Sequence, residues 1–185
     1  MTTRYGYAVL TPAMEAKLAE VVGGQVVFDF GCGNGELAAW MARHKAKAVS
    51  AIDYKTTPKF RSKRVTFVRK EIADAALPDS IDVGVIAWPV NRYTAGLVDA
   101  LRRCKTVVYI GSNDAGWATA CGGPDLFPYL LTRELDACLS IPQNCMLVIG
   151  QPLPEGQTRE PTEDEAEAIA QWEMARYYSK AFVGF

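Results

Sequence analysis

From Val26 the chain reads Val26-Val27-Phe28-Asp29-Phe30-Gly31-Cys32-Gly33-Asn34-Gly35-Glu36, an apolar run with one carboxylate that then meets three alternate glycines. Glycine has no Cβ, so it accepts positive φ and lets the backbone come close to a ligand. Three of them between a strand and a helix make a turn that can lie against a bound molecule. A dinucleotide site of the G-x-G-x-x-G kind would need glycine at position 36, which is Glu36 here. A carboxylate beside a helix N-terminus opposes the pyrophosphate that this helix end holds in nicotinamide enzymes. The turn therefore suits a ligand without phosphate, one that can carry positive charge.

A second carboxylate, Asp53, closes the strand-like run Ala48-Val49-Ser50-Ala51-Ile52-Asp53. A carboxylate at a strand end can accept from both hydroxyls of a ribose. An exposed loop aspartate is the plain alternative. The turn resembles the first motif of class I S-adenosylmethionine-dependent methyltransferases, an acidic residue followed by G-x-G-x-G. The likeness is good over Val26 to Asp53, fair as far as Gly111 and poor beyond.

The resemblance implies a cofactor, S-adenosylmethionine, and a site. Gly31, Gly33 and Gly35 would lie against the cofactor, Asp29 would help to place its methionine end, and Asp53 would take the ribose. After Val65-Thr66-Phe67-Val68 the family has an acid for the adenine amino group, followed by a backbone N–H for a ring nitrogen. Glu71 and Ile72 align best there, with Asp74 as the alternative acid. The fourth strand of the family ends opposite the transferred methyl, which implicates Trp88 and Asn91 on the acceptor side. Trp88 can stack on adenine or substrate, or pack under the crossover helix. Asn91 can accept from a substrate, or cap the helix that starts near Tyr93.

Several chemistries are disfavoured on residue grounds. Methyltransferases of amino groups often carry Asp/Asn-Pro-Pro-aromatic at this strand end, and of Ala87-Trp88-Pro89-Val90 only Pro89 fits. No Pro-Cys dipeptide is present for cytosine carbon-5 chemistry, and Ala87 stands where a metal-dependent catechol enzyme has an aspartate. Tyr5 to Thr11 faintly resembles the approach segment of some adenine methyltransferases, although a helix cap explains Thr11-Pro12 equally well. The expected function is methyl transfer to an unidentified small molecule or protein side chain. The alternatives are a cofactor-binding accessory protein without turnover, a degenerate nucleic-acid amino-methyltransferase, or a Rossmann-like enzyme that uses a nucleotide differently.

The elements that must hold these residues alternate. Met14, Leu18, Val21 and Val22 recur at helical spacing after Thr11-Pro12, and Gly23-Gly24 end that helix. Strands are expected at Val26 to Phe30, Ala48 to Asp53, Val65 to Arg69, Ile81 to Ala87, Thr106 to Gly111 and Cys145 to Gly150. A helix carries Leu37, Trp40 and Met41, another Tyr93, Leu97, Val98 and Leu101, and a third Leu126, Leu130, Leu131, Leu135 and Leu139. This is an α/β pattern, a Rossmann-like three-layer fold with a mostly parallel central sheet and helices on both faces. Residues 1–185 read as one domain, with a proline-rich connector at 151–161 and a C-terminal helix announced by the capping-box pair Thr162 and Glu165. Phe182 to Phe185 could add a short strand.

Composition sets the remaining limits. The 185 residues are 49% hydrophobic and 22% charged with a formal net charge of −1, ordinary for a globular domain and no global pull towards nucleic acid or anionic membrane. A nucleic-acid partner would need a local patch; Lys55, Lys59, Arg61, Lys63, Arg64, Arg69 and Lys70 form one candidate, against a mainly acidic Glu155 to Glu173. Such asymmetry usually marks solvated faces, so a nucleic acid is left open but not favoured. Cys32, Cys104, Cys121, Cys138 and Cys145 lack C-x-x-C spacing, which fits reduced thiols in a cytoplasm and no metal cluster. The lone His44, beside Lys45 and Lys47, reads as a solvated helix end. No apolar run suits a signal peptide or a membrane span. The oligomeric state is not encoded in any pattern here.

Overall fold

The computed structural model describes residues 3–5, 8–55, 57–60, 62–88, 94–112, 130–137, 145–154 and 157–160, with Glu163, Ala166 and Ala170 beyond them. Two short strands, β1 (Thr3–Tyr5) and β2 (Ala8–Leu10), pair antiparallel ahead of helix α1 (Pro12–Val22). Thr11 caps α1 as expected: its hydroxyl accepts from the Met14 N–H at 3.2 Å, and Pro12 opens the helix. Gly24, at φ 73°, then turns the chain into the sheet.

The central sheet is built from β3 (Val26–Phe30), β4 (Ala48–Ile52), β5 (Val65–Val68), β6 (Ile81–Ala87), β7 (Cys104–Ser112), β8 (Leu130–Ala137) and β9 (Cys145–Pro152). Its seven strands lie in the order β5-β4-β3-β6-β7-β9-β8. The first five are parallel, and β9 and β8 run antiparallel at one edge. Helix α2 (Glu36–Arg43) connects β3 to β4, and α3 (Thr94–Arg102) precedes β7. Strand order reverses between β3 and β6, so the crevice at their carboxyl ends is the switch point where α/β sheets bind ligands.

Alternation along the strands builds two cores. Val27 packs with Met14 and Leu18 of α1 and Leu37, Trp40 and Met41 of α2, while Phe28 and Phe30 pack with Leu97, Val98 and Leu101 of α3. A strand buried on both faces must be apolar throughout, which is why Val26–Phe30 reads as it does and why its one carboxylate is conspicuous. Each fully buried leucine or valine here contributes roughly 1.5–3 kcal/mol.

Two expectations are corrected. Leu130, Leu131 and Leu135 lie in a strand, not a helix, paired with β9 from Leu130↔Pro152 to Ala137↔Met146. The register shifts between Thr132 and Glu134, and the extra residue breaks the period of two by which a strand is recognised. Leu126 and Leu139 lie outside the described residues. The connector also starts later than expected, since β9 runs through Gln151 and Pro152. Glu163, Ala166 and Ala170 are helical and exposed. Thr162, Glu165 and residues 182–185 lie outside the described residues. Among the described residues no helix is long and apolar enough to cross a membrane, and no group of three His, Cys, Asp or Glu could hold a metal ion.

Candidate functional site

All three glycines of the turn adopt left-handed backbone conformations, with φ of 78° at Gly31, 52° at Gly33 and 79° at Gly35. A Cβ at Gly31 or Gly33 would meet nothing within 4 Å, so the turn faces open space there, whereas at Gly35 it would come within 2.7 Å of the Phe67 ring. Gly31 and Gly33 thus keep room for a ligand, while Gly35 packs against the neighbouring strand. The turn is held to β4 by the Gly31 and Cys32 N–H groups, which donate to the Ile52 carbonyl at 2.8 and 3.1 Å.

Asp53 completes the arrangement. Its Oδ2 accepts from the Gly33 N–H at 3.0 Å and its Oδ1 from the Lys55 N–H at 2.9 Å. A carboxylate oxygen can accept more than one hydrogen bond, so organising the turn is compatible with accepting from hydroxyls. Beside it opens a cleft of about 280 Å³ lined by Cys32, Asp53, Pro58, Phe67, Val68 and Arg69.

Asp29 is 1% exposed, and its Oδ2 is buried with no hydrogen-bond partner. Burial pushes its carboxyl up to about 7, and the nearby charge of Asp53 adds to the rise. A buried acid beside a second acid costs stability unless something positive joins it. The Cys32 thiol is likewise raised, first by burial and then by the charges of Asp29 and Asp53, so it is no ready nucleophile.

β5 ends at Val68, as the alignment of Glu71 requires. Glu71 is half-buried and precedes a single 3-10 turn, Ile72–Asp74, in which Ile72 is buried and Asp74 is exposed. Ile72 packs in the α3 core, so its side chain serves the fold. Trp88 follows β6, is 9% exposed and packs in the core shared by α1 and α2. Its φ of 54° is left-handed, rare for a bulky residue, and its indole Nε1 is buried without a partner. Asn91 lies outside the described residues. In the approach segment, the Tyr5 hydroxyl donates to Glu15 at 2.6 Å and its ring lies 5.6 Å from that of Trp40.

Asn34 was missed by the sequence reading. Its side chain accepts from the Glu36 N–H at 3.1 Å, and its carbonyl accepts from the N–H groups of Lys59 and Phe60 at 2.9 and 3.2 Å. Asparagine's habit of bonding backbone two residues on was the available signal. The carbonyl bonds depend on a long-range approach that no local pattern announces.

The residues present fit a sulfonium cofactor bearing an adenosine. Open space lies over Gly31 and Gly33, an acid stands at the ribose position, and a buried acid lacks its counter-charge. The fold around these residues is Rossmann-like, and it is the fold of known methyltransferases. The family model of the methyltransferase domain matches residues 28–112. The chain is similar in fold to the N-methyltransferase NodS from Bradyrhizobium japonicum, at 16% identity and TM-score 0.58 over 76% of this chain and 94% of that one. It also resembles an rRNA methylase from Streptococcus thermophilus, at 15% identity and TM-score 0.53 over 78% and 98%. A third structure, SMU.1697c from Streptococcus mutans in complex with S-adenosylhomocysteine, aligns at 16% identity and TM-score 0.52 over 78% and 99%. At these identities the likeness is one of fold. No curated protein sequence matches the chain. Residues 28–112 are therefore similar to the methyltransferase domain, and the chain shares the fold of the compared methyltransferase structures.

Proposed function

We propose that this chain transfers a methyl group to a small molecule or a protein side chain in the cytoplasm. The observation that carries the reading is the joined unit of Asp29, the glycine turn and Asp53 at the switch point, tied by the 3.0 Å bond from Gly33 to Asp53. S-adenosylmethionine, when bound, supplies a sulfonium methyl open to in-line displacement. Asp53 holds the ribose, Gly31 and Gly33 leave it room, and Glu71 with the Ile72 N–H meets the adenine. Asp29 pairs with the positive methionine end. Trp88 and Asn91 are the residues assigned to the acceptor side. Holding two reactants in line supplies roughly 7–11 kcal/mol in well-oriented cases, so the enzyme needs no obvious acid or base.

A small-molecule or protein acceptor is favoured by the overall charge of −1 and by the position of the basic segment on the adenosine side. The test has two parts. S-adenosylhomocysteine at a hundred times its dissociation constant should stabilise the folded protein by about 2.7 kcal/mol, read as a melting shift. Radiolabelled methyl should then appear in small-molecule or protein pools of a cell extract. The absence of a shift in folded protein would overturn cofactor binding, and label confined to nucleic acid would overturn the acceptor class.

A further inference from the structure

Residues 54–70 contain seven basic side chains, Lys55, Lys59, Arg61, Lys63, Arg64, Arg69 and Lys70, and no acid. All of these except Arg61 are described, and those six are exposed. Among the described residues none of the six makes an ion pair: the salt bridges there belong to Arg102 with Asp99 and Lys105 with Asp82. Lys55 instead lies 5.0 Å over the Tyr54 ring, and Arg69 reaches the Tyr54 carbonyl. In their midst Phe60 is 40% exposed, the exposed large hydrophobic side chain among the described residues.

This segment is not a loose loop. The Lys59 and Phe60 N–H groups both bond to the Asn34 carbonyl, which fixes the basic surface to the glycine turn. Charges that guard a sheet edge against pairing with another chain would account for Lys63, Arg64, Arg69 and Lys70, which flank the edge strand β5. That role gives no reason to expose a phenylalanine among them, or to extend the charge to Lys55 and Lys59. Unpaired cations that follow a backbone, interleaved with exposed aromatic rings on which bases stack, are the features of a surface for single-stranded nucleic acid.

We propose that the surface formed by Lys55, Lys59, Phe60, Lys63, Arg64, Arg69 and Lys70 binds single-stranded nucleic acid. It lies beside the adenosine cleft, which Pro58 and Arg69 help to line, and not at the β6 tip where the acceptor is placed. It therefore docks the enzyme on a strand and leaves the methyl-donating side free. The proposal goes beyond the acceptor assignment and is independent of it, because binding here needs neither cofactor nor turnover.

The experiment is fluorescence anisotropy of the full chain, without cofactor, against labelled oligo-dT and oligo-U and a DNA duplex of equal length. With about five phosphate contacts, single-strand affinity should fall about a hundredfold between 50 and 200 mM salt. The triple variant Lys59→Glu, Lys63→Glu, Arg64→Glu should abolish binding, and the milder triple variant to Gln should weaken it. Phe60→Ala should weaken single-strand binding roughly tenfold through lost stacking. Far-ultraviolet circular dichroism and a cooperative melt of the unliganded protein serve as the folding control for every variant. The proposal is overturned by absence of binding in the parent protein, by duplex binding as tight as single-strand binding, or by folded variants that bind like the parent.

Discussion

Where β3 ends, the chain passes into three glycines whose backbone is stitched to its surroundings: Gly31 and Cys32 to Ile52, Gly33 to Asp53, and Asn34 to Lys59 and Phe60. Where β6 ends, one strand away in the sheet, it passes into a tryptophan held left-handed, whose N–H donates to the Ile110 carbonyl at 2.8 Å. The first tip removes side chains and spends its backbone donors on fixing a concave turn. The second fills space with the largest side chain available and leaves an indole N–H buried and unmatched. A binding surface for a fixed, common cofactor can be built from backbone. A surface for a particular acceptor, the role proposed for the second tip, must be built from side chains, and there the left-handed Trp88 is strained.

The largest effect should come from breaking the first tip. Gly33→Val places a branched side chain at φ 52° and in the space left open over the turn. It should abolish the melting shift with S-adenosylhomocysteine while the protein stays folded. Asp53→Ala should follow. It removes the carboxylate proposed to hold the ribose and frees the Gly33 N–H, so titration calorimetry should show a loss of about 1.5–3 kcal/mol, roughly ten- to a hundredfold in Kd. A parent-like Kd would remove Asp53 from the site.

Asp29 sharpens the comparison through pH. Its folded carboxyl titrates at about 7, above the ordinary value of 3.8, so the folded state holds an extra proton between those values. Stability of the unliganded protein should therefore fall as pH rises from about 4 to about 7, and this contribution should be flat above that range. A positively charged ligand end favours the carboxylate, so affinity for S-adenosylhomocysteine should rise by up to about tenfold per pH unit towards 7 and then level off. Asp29→Asn should melt higher than the parent at pH 8 without ligand, bind more weakly, and lose the slope. A pH-independent Kd in the parent would show that Asp29 does not meet the charged end of the cofactor.

The same contrast explains what could be read from sequence. The β3 turn was legible because only glycine serves at positive φ beside a ligand, and Asp53 because it closes a buried strand. The parallel half of the sheet followed from apolar runs too short for helices. The antiparallel edge did not: the irregularity after Thr132 put Leu130, Leu131 and Leu135 at helix-like spacing. The isolation of Asp29 was also hidden, since nothing in Val-Val-Phe-Asp-Phe says that Oδ2 finds no donor. The left-handed backbone of Trp88 runs against the preference of its residue type, which is why a pattern of types cannot reveal it.

Trp88→Phe is the finest probe of the second tip. Phenylalanine in the left-handed region bears much the same backbone strain, keeps most of the apolar contact and deletes only the indole donor. A buried donor without a partner costs about 1–3 kcal/mol, and removing it offsets part of the packing that the smaller ring gives up. The melting temperature should therefore move little, and the cofactor-induced shift should be that of the parent. A donor that meets the acceptor only during transfer would be missed in turnover alone, so kcat should drop several-fold on whichever pool accepts the methyl. Unchanged kcat together with a lowered melting temperature would assign Trp88 to the core shared by α1 and α2, and would move the acceptor contact to the segment that follows it.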